Sequence, residues 1–340
     1  MKKRKNKFRK LLFSVFFVGI AVFLSSCGRT SADGVNADDE QNGQKKLQVV
    51  ATIFPEYDWV REILGEQADN VELTLLLANG VDMHSFQPTM SDILKVSTCD
   101  IFIYVGGESD AWVADALKGA GNPDRTAINL MEVLGDRAKE EEVVEGMQEE
   151  DGHDGHDHEE QEELEYDEHV WLSLRNTQVF CDAISEALQA ADPENAKLYQ
   201  ENTTAYKEKL AALDREYQAA VDQSESKTLL FADRFPFRYL TDDYNLTYAA
   251  FTGCSAETDA SFETITFLAG KLDELKLPVV FTIENSDGKV AKAVVENTNT
   301  RDQKILTLNS MQSVTSDEIN AGTTYLSIMK ENLKTLKEAL

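Results

Sequence analysis

The sequence predicts an α/β protein built as two strand–helix blocks separated by one long helix. Three observations carry this. Short apolar strands alternate with amphipathic stretches over residues 47–105, the same alternation resumes over 228–308, and no glycine or proline interrupts residues 194–221 between them. Such alternation is the signature of parallel sheets covered on both faces. Ligand sites in these sheets gather at the carboxyl ends of the strands.

In the first block, residues 47–51 read as a strand, 55–64 as a helix with Tyr57, Val60, Ile63 and Leu64 on one face, and 71–77 as a second strand. A helix over 91–97 leads to a third strand over 100–105, which ends at Gly106-Gly107. Asp192 and Pro193 then mark a helix start, with Asp as N-cap and Pro at the first helical position. From there Leu198, Ala205, Leu210, Leu213, Tyr217 and Val221 recur at helical spacing, a rod of about 29 residues or ~43 Å. In the second block, strands over 228–232, 248–251, 279–283 and 304–308 alternate with helices that include 261–275 and 288–297. A last helix over 323–340 closes the chain. The domain plan is a first lobe over 47–192, a linking helix over 193–222, a second lobe over 223–340, and a cleft between the lobes.

The N-terminus reads as an address. Lys2, Lys3, Arg4, Lys5, Lys7, Arg9 and Lys10 precede an apolar run over 11–24, the make-up of a secretory signal. That run is shorter than the roughly 20 residues a bilayer-spanning helix needs. Leu24-Ser-Ser-Cys27 resembles the bacterial lipobox, so cleavage of residues 1–26 would leave a lipid-bearing Cys27. Residues 27–46 read as a flexible tether. Losing the seven cations moves the formal charge from −28 to −35, which argues against nucleic acid as a partner. Cys99, Cys181 and Cys254 allow at most one disulfide among themselves in one molecule, and their spacing does not choose the pair.

Three of the five histidines, His153, His156 and His158, lie within six positions of one another in the acidic segment 138–166. A fourth, His169, follows in Asp167-Glu-His-Val-Trp171. Neutral imidazole and carboxylate are the usual ligands of borderline cations such as Zn(II), so this composition predicts a divalent metal. The same run has the low hydrophobicity and like charge of a solvated linker, and one loop can be both. The fifth histidine, His84, lies in the loop 78–88 just past the second strand, where glycine and proline mark irregular backbone.

Gly80-Val-Asp-Met-His84-Ser-Phe-Gln-Pro-Thr and Asp167-Glu-His169-Val-Trp-Leu-Ser resemble the two histidine loops of the metal-receptor class of bacterial solute-binding proteins. These are exported lipoproteins that hand zinc or manganese to ABC importers. The likeness runs from about residue 47 to 340, and a His-rich acidic loop before the second motif is typical of the zinc-selective branch. The resemblance implies two (β/α) lobes with parallel-rich sheets bridged by one long rigid helix, a metal held in the inter-lobe cleft, and His84 and His169 as ligands. It also implies an importer permease and its ATPase as partners, a location on the outer face of the cell membrane, and a monomer. Phe237, Tyr239 and Tyr244 fix the family's second-lobe register, which puts Arg234 where a third ligand is expected and Asn309 where a late carboxylate is expected. Arginine has no acceptor lone pair and cannot coordinate a cation.

Three repairs are open at this stage. A neighbouring acid, Asp233 or Glu257, enters the shell, with Glu257 preferred because it follows a second-lobe strand; solvent completes the shell; or Arg234 faces an anion that accompanies the metal. The chain has no GxxxxGK[ST] loop, HExxH helix or GxSxG elbow. The expectation is a zinc receptor without catalysis. The alternatives are a manganese receptor, an envelope metal-dependent hydrolase, and a metal-buffering adhesin in which His153, His156 and His158 do the binding.

Overall fold

The computed structural model describes residues 46–119, 121–142, 144, 145, 147, 166–251 and 261–340. The strands are β1 (Leu47–Ala51), β2 (Val71–Leu75), β3 (Ile101–Tyr104), β4 (Thr126–Asn129), β5 (Thr228–Phe231), β6 (Thr247–Ala250), β7 (Val279–Ile283) and β8 (Lys304–Leu308). The helices of the first half are α1 (Phe54–Leu64), α2 (Met90–Thr98), α3 (Val113–Leu117), α4 (Leu130–Leu134), α5 (Leu174–Ala191) and α6 (Ala196–Gln223). Those of the second half are α7 (Arg238–Asp243), α8 (Phe262–Leu275), α9 (Lys289–Glu296), α10 (Ser316–Asn320) and α11 (Tyr325–Leu336).

Two four-stranded parallel sheets have the same order, β2-β1-β3-β4 and β6-β5-β7-β8. β1 pairs with β2 from Leu47 opposite Val71 to Ala51 opposite Leu75, and β7 pairs with β8 from Val279 opposite Lys304 to Ile283 opposite Leu308. Strands covered on both faces read as continuous apolar runs, and Val-Val-Phe-Thr-Ile of β7 is buried throughout. In each sheet the chain reverses direction of travel at its first strand, which opens a crevice at the carboxyl ends.

The long helix α6 has 28 residues, or ~42 Å at the usual rise. Its buried face is Tyr199, Thr203, Tyr206, Leu210, Leu213, Tyr217 and Val221. The second half matches the expected seam, but Leu198 is only half-buried and Ala205 is exposed. Tyrosines take those turns because each buries a large ring; Tyr199 also donates to Asp192 at 2.6 Å and Tyr217 to the Met329 carbonyl at 2.6 Å, while the Tyr206 hydroxyl is buried without a hydrogen-bond partner among the described residues. Asp192 therefore binds Tyr199 and Asn195 side chains rather than capping backbone. Tyr57 of α1 is likewise half-buried rather than core.

β4 and α5 were not anticipated. β4 is an edge strand in which only Ile128 is buried, too weak a pattern to read. One hydrophobic cluster runs without a break through both sheets, from Val49 and Trp59 through Tyr206 and Tyr217 to Phe231, Phe281 and Tyr325. α11 returns to the first lobe, where the Tyr325 amide donates to Asp58 at 2.7 Å and its hydroxyl to the Trp171 carbonyl at 2.7 Å. Cys99 and Cys181 are free thiols buried in separate clusters, so neither forms the disulfide that the sequence permits. Cys27, Cys254, Glu257, His153, His156, His158 and the expected signal segment lie outside the described residues, as does all of the expected tether except Lys46.

Candidate metal centre

His84 and His169 come from different loops and converge. His84 sits in a single 3-10 turn, Met83–Ser85, which Asp82 caps by accepting the His84 amide at 3.0 Å. His169 precedes the turn Val170–Leu172 and is fully buried, its ring 5.1 Å from that of Trp171. Asp167 positions it twice, accepting from its amide at 2.8 Å and from its Nδ1 at 3.0 Å. A carboxylate can only accept, so the Nδ1 of His169 carries the proton and Nε2 keeps its lone pair. The Nδ1 of His84 lies 3.0 Å from Ser109 Oγ, whose hydroxyl can fix the same tautomer there.

The two Nε2 atoms are 3.2 Å apart. Two nitrogens held at about 2.0–2.1 Å by one tetrahedral zinc ion are separated by about 3.3 Å, so the pair is spaced for a shared cation. Burial, and then the neighbouring His169, push the His84 imidazole down to about 4, which keeps it neutral and available as a ligand.

A third side chain meets both imidazoles. Gln312 Nε2 lies 3.2 Å from His84 Nε2 and in short contact with His169 Nε2. Its amino group donates to both lone pairs and so relieves the repulsion between them. Turning the amide over presents Oε1 to the same point, an oxygen donor for a metal. Gln312 is set by a tight turn after β8, in which Met311 has a left-handed backbone, φ 63°, uncommon for a residue with a side chain. Such strain gathers at functional sites. Glu284, at the carboxyl end of β7, ties this turn down by accepting from Ser310 N at 2.6 Å, Ser310 Oγ at 2.7 Å and Gln312 N at 3.1 Å. Burial nevertheless raises the Glu284 carboxyl above its usual range.

The family register puts Asn309 at the late ligand position. Asn309 faces away and caps its own turn, with Oδ1 accepting from Met311 N at 2.8 Å. Gln312, three residues on, is the side chain of this turn that contacts both imidazoles. It was missed because an amide is not sought among His, Cys, Asp and Glu; its position in the loop after β8 was the available signal. Arg234 does not approach the imidazoles but bonds Asp82 across the cleft, Nη2 to Oδ2 at 2.7 Å. Burial pushes the Asp82 carboxyl up, but the Arg234 charge and hydrogen bond, with the His84 amide, outweigh this and hold it below the usual carboxylate range. Asp233 accepts the Arg234 amide at 2.9 Å. Among the described residues no group of three or more His, Cys, Asp or Glu side chains is arranged to hold a metal. The donors that do converge are two imidazoles and an amide.

Behind the histidines, Gly106 and Gly107 turn the chain with φ of 91° and 81°. A Cβ on Gly107 would fall 2.2 Å from Glu168 Oε1, so only glycine lets Glu168 approach and accept from Ser109 N at 2.9 Å. That bond fixes the Ser109 backbone beneath His84.

Residues 49–339 match the family described as zinc-uptake complex component A, periplasmic. The chain belongs to this family. High-affinity zinc uptake system protein ZnuA of Bacillus subtilis strain 168 is 30% identical over 330 residues, covering 96% of this chain and 98% of that protein. Zinc-binding lipoprotein AdcA of Streptococcus pneumoniae serotype 4 is 30% identical over 321 residues, covering 94% of this chain but 58% of that protein, so the chain spans little more than half of that longer relative. The Zn(II)-bound ZnuA-like domain of Streptococcus pneumoniae AdcA superposes with a TM-score of 0.67 at 26% identity, covering 86% of this chain and 98% of that domain. Within this zinc-uptake component A fold, the centre lies where the carboxyl ends of both sheets face each other. His84 and Ser109 follow β2 and β3, and Glu284 and Gln312 follow β7 and β8.

Proposed function

We propose that the chain is an extracytoplasmic zinc receptor that binds the ion at His84, His169 and Gln312 and passes it to the permease and ATPase of an ABC importer. The 3.2 Å approach of two Nε2 atoms whose opposite ring nitrogens are both engaged carries this reading. Imidazole suits zinc, whereas manganese favours carboxylate and water, and no carboxylate oxygen contacts either Nε2 among the described residues. The relatives named as zinc-binding and zinc-uptake proteins support the same cargo. Lipidation at Cys27 would keep the receptor at the membrane face, as a monomer, and the lipoprotein relative supports that anchor.

The acidic segment with His153, His156 and His158 is assigned an accessory role: it gathers zinc near the cleft. Its described flanks support this, because Glu140 pairs with Tyr166 and the Asp167 amide donates to the Lys139 carbonyl at 2.8 Å. The segment thus leaves and returns beside Asp167, two residues from His169. Zinc titration of the purified chain tests the assignment. His84→Ala and His169→Ala should each abolish tight binding, while deletion of residues 149–163 should slow loading at low zinc with little change in equilibrium affinity. Tight binding that survives both alanine variants and vanishes with the deletion would transfer the site to the acidic segment.

A further inference from the structure

The three protein donors leave one position of a four-ligand zinc shell open, and a cavity lies beside one of those donors, Gln312. Gln312, which contacts both imidazoles, and Asp82, which accepts the His84 amide, also line a cavity of about 250 Å³ at the carboxyl end of the second sheet, together with Asp233, Arg234, Asn285 and Ser313. That is the volume of roughly eight water molecules at ~30 Å³ each, far more than one coordinated water requires.

The wall carries paired charges. A guanidinium offers five N–H donors in a planar fork. Among the described residues Arg234 makes one side-chain hydrogen bond, from Nη2 to Asp82, and its side chain is 17% exposed. The rest of the fork is available to a carboxylate, its preferred bidentate partner. Asp233 spends Oδ1 on the Arg234 amide, while Oδ2 has only a long 3.4 Å contact from Ile283 N, leaving acceptor capacity for a cationic donor. Asn285 adopts a left-handed backbone, φ 64°, and its amide is held by a 2.6 Å bond to Ser313 Oγ, so this part of the wall is fixed in place.

We propose that the cavity holds a small amino acid with a metal-binding side chain that accompanies zinc, its carboxylate on Arg234, its ammonium on Asp233, and its side-chain donor filling the fourth zinc position. This rests on the zinc reading above and adds to it the chemical class of the cargo: a zinc–amino acid complex, with histidine as the probe.

Equilibrium dialysis of the full chain, zinc-free and zinc-loaded, with radiolabelled histidine and in a parallel arm with radiolabelled citrate, tests this, with bound zinc counted separately. The expected result is about one histidine retained per zinc and none without zinc, as one open position requires. Arg234→Gln should lower retention per bound zinc about tenfold or more, the effect of losing a charge-assisted contact. Ser313→Leu, which fills the cavity, should exclude the label. Zinc-loaded protein that retains neither compound, or retention unchanged in both variants, overturns the proposal. Retention of citrate in place of histidine overturns the amino-acid assignment. Failure to take up zinc at His84 and His169 sinks the zinc reading instead.

Discussion

Replacing Asp167 with asparagine isolates the part of the centre that is not itself a ligand. Asp167 and His169 are 2% and 1% exposed at their side chains, and Oδ1 of Asp167 accepts both the Nδ1 and the backbone hydrogens of His169. Hydrogen bonds to a charged group contribute about 1.5–3 kcal/mol. Asparagine keeps the shape and an acceptor but loses the charge, so the imidazole is less strictly held with Nε2 free. Zinc affinity should fall about 10- to 100-fold, the range for partners of metal-ligating histidines. Competition against a chromophoric chelator reads the affinity, and near-ultraviolet circular dichroism checks that the fold is kept. A dissociation constant within twofold of the parent, in a correctly folded variant, would refute the claim that Asp167 sets the His169 tautomer.

Gln312→Glu should tighten zinc about tenfold, since a carboxylate is a stronger donor than an amide, and Gln312→Ala should weaken it by a similar factor; isothermal titration with both variants decides whether Gln312 is a ligand at all. Zinc addition should change Trp171 emission, because its ring packs 5.1 Å from that of His169, and the change should vanish in Trp171→Phe; an unaltered response in that variant would exclude the indole as reporter. Glu56 is fully buried, and burial followed by the charge of Asp110 raises its carboxyl to about 8, while burial raises Asp110 itself to about 6. A raised carboxylate makes the folded chain bind protons more tightly than the unfolded one, so metal-free stability should fall as pH climbs from near 4 to near 8. Glu56→Gln should flatten that slope and raise the melting temperature at pH 8; a slope identical to the parent's would contradict the assignment to Glu56.

Much of the fold was legible because its strands are short apolar runs and its helices show a periodic face. β1, β3, β7 and β8 are of this kind. Two of the misreadings, the seam of α6 and the metal centre, share a cause, the weight given to aliphatic over aromatic or polar residues. Tyr199 and Tyr206 displaced Leu198 and Ala205 on α6, since each buries a large aromatic ring, and the Tyr199 hydroxyl also reaches Asp192. In the centre, His84 and His169 stood out by residue type and motif. Gln312 did not, because an amide becomes a metal donor only through what it faces.

The sequence by itself determined the two-block α/β architecture, the long connecting helix and the unsuitability of Arg234 as a ligand, since these follow from local pattern and the chemistry of single side chains, while the pairing of His84 with His169 rested on the resemblance of two motifs to a known family. Only the tertiary structure brought Gln312, and not Asn309, into contact with both imidazoles, and paired Arg234 with Asp82 beside an open cavity. Those facts depend on loops separated by 85 to 228 residues meeting at one point. Such convergence is set by the packing of the two sheets and carries no local signature in the chain.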